Sequence, residues 1–257
     1  MALDSTDILF ETRGPVAVVT INRPEQRNAI NTAVREGLFA AWSRFESDET
    51  LRVAILTGAG RQAFCAGLDL KEVGALNFKV PPPGFLPIIG DNVHVSKPVI
   101  AAVNGSAFAG GWMFAQMCDL CIAANHATFG ITEAKVGRGM PWAAPLVGML
   151  PQRIVMELLL TGDAVSAERA REIGFVNQVV APDDLLTKAM EMAEKIASNA
   201  PLTVRAAREL VYLSAEMGRS AALRAAQHLF TPVYMSEDAQ EGPRAFKERR
   251  KPQWNGR

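Results

Sequence analysis

Two glycine-containing segments have the composition of turns that bind an anion through the backbone. One is residues 64–70, with Gly67 among small residues, and the other is residues 104–111, which ends in Gly110 and Gly111 where a helix is predicted to begin. N–H groups at a helix N-terminus have no partner inside the helix, and the helix dipole favours an anion there. One N–H group from each turn would together form an oxyanion hole. For either turn alone, the simpler interpretation is that glycine permits close packing.

A third glycine segment, residues 58–63, matches the GxGxxA pattern that follows a strand in dinucleotide-binding proteins. In those proteins the pattern opens an apolar helix, and an acidic residue follows about twenty residues later. Here the small residues of 64–70 stand where that helix would run. A nicotinamide-dependent dehydrogenase is therefore the least favoured of three functional hypotheses.

The elements that would position these turns follow from hydrophobic periodicity. Apolar, β-branched runs bounded by turn residues predict buried strands at 16–21, 53–57, 99–103 and 120–123. Helices are predicted from the N-cap Asn31 to about Glu46 and from about Gly110 to Cys118. The apolar face of the first helix is formed by Val34, Leu38, Ala41, Trp42 and Phe45. Strands alternating with helices indicate an α/β fold with parallel sheets and crossover connections.

The middle and the end of the chain have a different pattern. Residues 74–98 contain a Pro-Pro-Pro-Gly run that breaks helices, and we predict a loop over the site there. Helical apolar spacing recurs at 151–161, 166–173, 182–198, 201–216 and 218–230. We divide the chain into a core, residues 1–200, and a C-terminal helical region, residues 201–257. Composition alone favours a solvated basic tail from Arg244 onward over a contact with phosphate.

Composition excludes several classes of function. The chain has 257 residues, 49% of them hydrophobic, and its 27 basic residues balance 27 acidic ones, so no overall field attracts nucleic acid or an anionic membrane. Residues 98–117 carry no charge and could span a bilayer, but the turn signal Asn104-Gly105 predicts a strand, a turn and a helix instead.

The three cysteines do not predict a disulfide framework in a chain of this length. Cys118 and Cys121 form a lone CxxC, and without a second pair two buried free thiols are favoured over a zinc or redox site. Residues 1–7 contain no basic or apolar leader. The expectation is a cytoplasmic protein in a reducing compartment, without a metal.

Taken together, the two turns resemble the signature of the crotonase (enoyl-CoA hydratase/isomerase) family. The resemblance runs through almost the whole chain and depends on the order and spacing of many short motifs. Outside the two turns, these motifs are Asn22-Arg23-Pro24, Asn28-Ala29, Cys118-Asp119-Leu120, Phe129-Gly130 with Glu133, Leu160-Thr161-Gly162, Ala170, residues 174–179, Glu241-Gly242, Ala245-Phe246 and the basic residues 247–251.

The resemblance implies a crotonase-like spiral of ββα units, followed by helices that drive formation of a homotrimer, often a hexamer built as a dimer of trimers. It implies an acyl-CoA substrate and no cofactor apart from the coenzyme A of that substrate. The thioester oxygen would accept hydrogen bonds from the N–H groups of Leu68 and Gly110. The residues implied to line the CoA or acyl site are Glu25, Gln26, Arg27, Ala66, Asp69, Leu70, Gly111, Met113, Trp142 and Lys247.

The sequence departs from the standard hydratase pattern at one of its two glutamates. The glutamate after the Phe-Gly strand is present as Glu133, but the one on the glycine helix is replaced by Met113, which cannot hold or activate water. By itself, Glu133 is typical of a surface carboxylate at a helix start; the resemblance makes it the catalytic residue. Asp91 or Glu72 could supply a second acid, and Trp142 with Met140 would narrow the pocket or line the acyl site.

These observations favour an enoyl-CoA hydratase/isomerase family enzyme that works through an enolate. One carboxylate can move a proton between two carbons, which is all that double-bond isomerisation requires. Hydration stays open if another group holds the water. The second hypothesis, from a different class, is a crotonase-like module that binds acyl-CoA or a partner without turnover.

Overall fold

The computed structural model describes residues 6–76 and 79–257, so the expectation about a leader in residues 1–7 lies almost entirely outside the described part. The chain forms two β-sheets surrounded by helices. The larger sheet has six strands in the order β1-β2-β3-β5-β7-β10, and the smaller has four in the order β4-β6-β8-β9. The strands are β1 Ile8–Arg13, β2 Val16–Ile21, β3 Val53–Gly58, β4 Ala63–Cys65, β5 Val99–Val103, β6 Ser106–Phe108, β7 Leu120–Ala124, β8 Thr128–Gly130, β9 Val165–Ser166 and β10 Gln178–Val180.

The helices begin between the strands and continue after them. They are α1 Thr32–Ser47, α2 Leu70–Leu76, α3 Gly110–Gln116, α4 Glu133–Val136, α5 Leu146–Met149, α6 Gln152–Thr161, α7 Ala167–Glu172, α8 Leu185–Ala197, α9 Pro201–Glu216, α10 Arg219–Met235 and α11 Glu237–Glu248.

The core repeats a ββα unit. In β3-β4-α2, β5-β6-α3 and β7-β8-α4, the first strand joins the large sheet and the second joins the small one. Strands β2, β3, β5, β7 and β10 are parallel to their neighbours, as the alternating pattern predicted. The exceptions are β1, which pairs antiparallel with β2, and β9, which pairs antiparallel with β8. The predicted crotonase-like ββα spiral is confirmed, and the second strand of each unit belongs to the small sheet.

Helix α1 shows how the sequence fixes one element. The Asn31 side chain accepts a hydrogen bond from Val34 N at 2.8 Å and so caps the helix, as predicted. All five predicted face residues are buried. At the other end, the buried Lys97 donates from Nζ to the carbonyl oxygens of Phe45 and Asp48, both at 2.7 Å. A cation there complements the negative end of the helix dipole.

A second core lies on the other face of the large sheet. Helix α8 places Leu185, Ala189, Ala193 and Ala197 at a spacing of four, and all four are buried against strands of that sheet. Small residues let the helix approach the sheet closely. This element therefore covers the face that α1 does not.

Helices α9 to α11 follow from Pro201. Ala206 is the only buried residue of α9, and α10 has none. The basic residues from Arg244 onward are exposed, and α11 continues through them to Glu248 despite Pro243. Pro232 likewise lies inside α10, which extends five residues beyond its predicted end at 230. The division of the chain at residue 200 stays a prediction.

The predicted loop lies where expected after α2. Within described residues 79–98 there is no helix or strand, and Ile89 and Val93 form one isolated bridge. The uncharged stretch 98–117 forms the predicted strand β5 and helix α3, with the short strand β6, which was not predicted, between them. No helix in the described residues combines the length and hydropathy needed to cross a membrane.

The three cysteines are free and buried, as predicted for Cys118 and Cys121. Burial raises the pKa of the Cys65 thiol to about 12 and raises the pKa values of Cys118 and Cys121 as well. A thiol held in its neutral form is a poor nucleophile.

Candidate active site

The two predicted glycine turns lie against each other. Gly67 has a positive φ of 94°, and a Cβ atom placed on it would lie 3.1 Å from Ala109 Cβ and 3.5 Å from Gly110 N. The turn after β4 therefore contacts the start of α3 without room for a side chain. Gly111 has the same role one residue later, because a Cβ atom on it would overlap the backbone oxygen of Cys65.

The N–H groups of Leu68 and Gly110 have no hydrogen-bond acceptor within the described part of the chain. Leu68 forms a parallel bridge with Ile30. In this bridge Ile30 N donates to Gly67 O, and Asp69 N donates to Ile30 O. In this arrangement the N–H group of Leu68 points away from Ile30. Gly110 is the first residue of α3, where an N–H group has no partner inside the helix. Each turn thus presents one free backbone donor.

Ala109, which precedes Gly110, has an unusual backbone conformation. Its φ is 50° and its ψ is −117°, a region that side-chain-bearing residues rarely occupy. Its N–H group donates to Gly130 O at 2.9 Å. This bond joins the start of α3 to the end of β8, three residues before Glu133. Backbone contacts therefore link both turns to the segment that carries the predicted catalytic carboxylate.

Glu133 is the first residue of α4, but it is not the surface carboxylate that the sequence alone favoured. It is 7% exposed. Its Oε1 accepts a hydrogen bond from Trp142 Nε1 at 3.2 Å, and its Oε2 is buried without a partner in the described residues. Burial raises the pKa of this carboxyl, against smaller opposing effects of its own backbone N–H and of Trp142. A buried carboxyl with one unpartnered oxygen and a raised pKa suits proton transfer.

The remaining acyl-site predictions lie on α3 and in the turn after α4. Met113 is 1% exposed on α3, so the position contributes an apolar thioether and no charge. Trp142 is half-buried and packs against the main core, as does Met140. The hydrogen bond from Trp142 to Glu133 was not predicted, and neither was a role for Gln116. Gln116 is a buried polar residue in an otherwise apolar helix, and that contrast was the available signal.

The two segments predicted to bind CoA are joined by a backbone hydrogen bond. Ala66 N donates to Arg27 O at 3.1 Å, so residues 25–27 and 66–70 lie side by side. Glu25, Gln26 and Arg27 are exposed, and Leu70 is 79% exposed. These side chains are accessible to a ligand at the surface.

Asp69 is less accessible than this segment suggested. Its Oδ2 accepts hydrogen bonds from both terminal nitrogens of Arg23 at 3.2 Å. Arg23 also donates to Ala29 O at 2.6 Å. The ion pair between Arg23 and Asp69 holds together the two segments predicted to bind CoA, and this ion pair was not predicted.

The other predicted polar residues are scattered. Lys247 is exposed in the last turn of α11, and no hydrogen bond or ion pair in the described residues links it to the rest of the site. Arg250, which belongs to the same basic run, binds the Glu241 carboxylate through two nitrogens.

The Glu72 carboxylate accepts hydrogen bonds from Thr32 N at 3.0 Å and from the Thr32 hydroxyl at 2.6 Å. Burial favours a higher pKa for Glu72, but the Thr32 bonds and Arg35 bring the pKa below its usual value, so its role is to cap α1. Asp91 is exposed.

The segment with the dinucleotide pattern does not open a helix. Residues 58–63 lead from β3 into β4, and both strands belong to the first ββα unit. The dehydrogenase hypothesis is wrong on this point, since the donors of a helix N-terminus are missing where the pyrophosphate would lie. Among the described residues, no group of three or more His, Cys, Asp or Glu side chains could hold a metal ion.

Comparison with known proteins agrees with this geometry. The sequence model of the family described as enoyl-CoA hydratase/isomerase matches residues 11–257. The chain is 39% identical to (E)-benzylidenesuccinyl-CoA hydratase of Thauera aromatica, over 97% of this chain and 99% of the relative. It is also 39% identical to carnitinyl-CoA dehydratase of Salmonella arizonae, over 98% and 99% of the two chains.

Solved structures give the same result. Enoyl-CoA hydratase EchA1 from Mycobacterium marinum superposes with a TM-score of 0.90 at 39% identity, covering 98% of this chain and 99% of that one. Enoyl-CoA hydratase from Bacillus anthracis also gives a TM-score of 0.90, at 32% identity, covering 98% and 100%. The chain therefore belongs to the enoyl-CoA hydratase/isomerase (crotonase) family and is an enzyme that acts on CoA thioesters.

Proposed function

We propose that this enzyme moves a proton at the α carbon of an acyl-CoA, with Glu133 as the acid–base group and the N–H groups of Leu68 and Gly110 as the oxyanion hole. The observation that carries the proposal is that two unpartnered N–H groups and one buried, unpartnered carboxyl oxygen lie on segments that backbone contacts link. Each group lacks a partner in the described chain, and a thioester with an acidic α C–H bond would satisfy all three.

The chemistry follows from where charge develops. The Glu133 carboxylate takes the α proton, the C–H electron pair becomes the enolate double bond, and negative charge moves to the thioester oxygen. Two preorganised N–H donors stabilise that oxygen, and losing one such donor typically costs about 2.7–4 kcal/mol. Returning the proton to the γ carbon shifts the double bond. Adding water at the β carbon while the α carbon gains a proton gives hydration.

The coenzyme A would lie along residues 25–27 and 66–70. The exposed side chains of Glu25, Gln26 and Arg27 and the Arg27–Ala66 hydrogen bond support this path. Lys247 would contact the nucleotide phosphates if another copy of the chain brings it to the site. No further cofactor is needed for these steps.

Two relatives bear on the choice between isomerisation and hydration. The similar proteins from Thauera and Salmonella are named as a hydratase and a dehydratase, which favours addition or removal of water. The buried Met113 favours isomerisation, because it provides no second carboxylate to hold water. Products formed in heavy-oxygen water decide between them, since hydration incorporates the isotope and isomerisation does not.

The proposed role of Glu133 is tested by exchange of the α proton of a saturated acyl-CoA into heavy water. Glu133→Gln should abolish exchange while the Kd for acyl-CoA stays near that of the native enzyme. Glu157→Gln, which removes an exposed carboxylate on α6, is the matched control and should exchange normally. Exchange at the native rate by Glu133→Gln would refute the proposal. Tight binding with no turnover by the native protein on any enoyl-CoA would favour the binding module.

A further inference from the structure

Trp142 bonds to two other parts of the site. Its indole Nε1 donates to Glu133 Oε1 at 3.2 Å, and its carbonyl oxygen accepts a hydrogen bond from Gln116 Nε2 at 2.9 Å. Gln116 belongs to α3, the helix that begins with Gly110. One tryptophan therefore connects the helix that carries a proposed oxyanion donor with the proposed proton-transfer residue.

The backbone around Glu133 does little to orient its carboxyl group. Helix α4 has four residues and ends at Gly137, whose φ is 65°. A glutamate side chain has three torsions, and among the described residues Trp142 is the one side chain that donates a hydrogen bond to it. The turn that carries Trp142 is fixed by Pro141, which begins it, and by the hydrogen bond from Ala143 N to Met140 O at 2.9 Å.

We propose that Trp142 is a positioning residue, which binds Glu133 Oε1 so that Oε2 faces the α carbon, and that Gln116 holds Trp142 in place from α3. This inference rests on the proposed function of Glu133. It assigns the two carboxylate oxygens different roles, one structural and one for proton transfer. It also explains why a polar side chain, Gln116, is buried in an apolar helix.

The test uses kcat for α-proton exchange in heavy water as a function of pH. Trp142→Phe keeps an aromatic ring but removes the donor. Because a misplaced catalytic group reacts slowly, kcat should fall by roughly 10- to 100-fold with KM little changed. The indole bond stabilises the ionised carboxyl, so its loss raises the pKa of Glu133. Exchange requires the ionised form, and the acidic limb of the profile should therefore move to higher pH.

Other charged groups near Glu133 are unchanged by this substitution. The elements packed around it contribute Lys135, Arg138, Arg153 and Glu157, all exposed, and Lys135 is paired with Asp163 at 2.7 Å. The matched control is Trp254→Phe, which removes an indole bond to Ser198 O at 2.8 Å near the C-terminus. It should leave the profile unchanged.

Gln116→Met tests the second part of the proposal. Methionine has a similar length but no amide, so the bond to Trp142 O is lost. If Gln116 acts through Trp142, kcat should fall in the native background and should not fall further in a Trp142→Phe background. Additive losses would overturn this role for Gln116.

Glu133→Gln separates this inference from the proposed function. If Glu133→Gln loses exchange but Trp142→Phe keeps the native kcat and acidic limb, the positioning role is refuted and the proposed function stands. If Glu133→Gln still exchanges, both fail. If Trp142→Phe does not fold, 5-fluorotryptophan NMR of the otherwise native chain decides. One of its four tryptophan signals should titrate with the acidic limb and stop titrating in Glu133→Gln. If no signal does so, the inference is refuted.

Discussion

Met113 gives the site an apolar residue where the family hydratase pattern has a carboxylate. It is buried on α3, three residues after Gly110. A thioether there would exclude water and favour packing against an acyl chain. In the proposed mechanism, proton transfer is left to Glu133, and Met113 supplies no group that would activate water.

The native enzyme should therefore hydrate crotonyl-CoA slowly. Met113→Glu should raise that rate. The gain should be modest, because an unpaired buried acid tends to stay protonated. Hydration of crotonyl-CoA by both proteins, followed spectroscopically, is the measurement, with Met113→Gln as a polar control that cannot accept a proton. A native rate typical of an efficient hydratase would contradict the prediction.

The proposed oxyanion hole can be tested at Gly110 with two substitutions, of which one removes the backbone N–H group and the other keeps it. Gly110→Pro removes the N–H donor at a helix position where proline is tolerated, whereas Gly110→Ala adds a Cβ and keeps the donor. In both, the new Cβ approaches the flexible end of Ile30 at about 2.8 Å. We expect turnover to fall at least 100-fold further in the proline variant than in the alanine variant. Equal rates in two folded variants would exclude Gly110 N–H as a catalytic donor.

At the scale of elements, long periodic segments were predictable and short ones were not. Helix α1 was predicted with its cap and buried face because 16 residues repeat the same apolar spacing. Strands β4, β6 and β8 have three residues each, too few to show a period, and tertiary pairing forms them. The contact of Trp142 with Glu133 and Gln116 depends on such folding, so the sequence did not predict it.

Lys97 joins the loop before β5 to the C-terminal end of α1. Lys97→Met keeps the buried stem but leaves the carbonyls of Phe45 and Asp48 without their charged donor. We expect the free energy of unfolding at pH 7 to fall by about 2 kcal/mol, a typical loss for hydrogen bonds to a charged group. Denaturant unfolding measures it. Lys195→Met, an exposed lysine in the last turn of α8, is the control and should change stability by less than about 0.5 kcal/mol. An equal effect of the two substitutions would contradict the capping role.

At the scale of the whole molecule, the C-terminal helices leave apolar side chains in solvent. On α10, Leu223 is 60% exposed, Tyr234 75% and Met235 82%. Exposed apolar surface of this kind marks an interaction site. The resemblance implied a homotrimer or a hexamer, and this surface supports that as a proposal.

Light scattering at micromolar concentration should give the mass of three or six chains. Leu223→Glu should shift the population toward smaller species, because a carboxylate is costly to bury in an apolar interface. Ser43→Glu, at an exposed position of α1, introduces the same charge outside the C-terminal helices and should leave the mass unchanged. A monomer in the native protein would refute the proposal.

The buried cysteines make this enzyme convenient for site-directed spectroscopy. Cys65, Cys118 and Cys121 are the whole thiol content of the chain, all are buried, and their pKa values are raised. The thiolate is the nucleophile that attacks thiol-reactive dyes and spin labels, so the native chain should react slowly at neutral pH. A cysteine introduced at an exposed position outside the proposed interface, such as one on α7, would then be labelled selectively without removing any native cysteine. Distances between such labels would report directly how several copies of the chain are arranged.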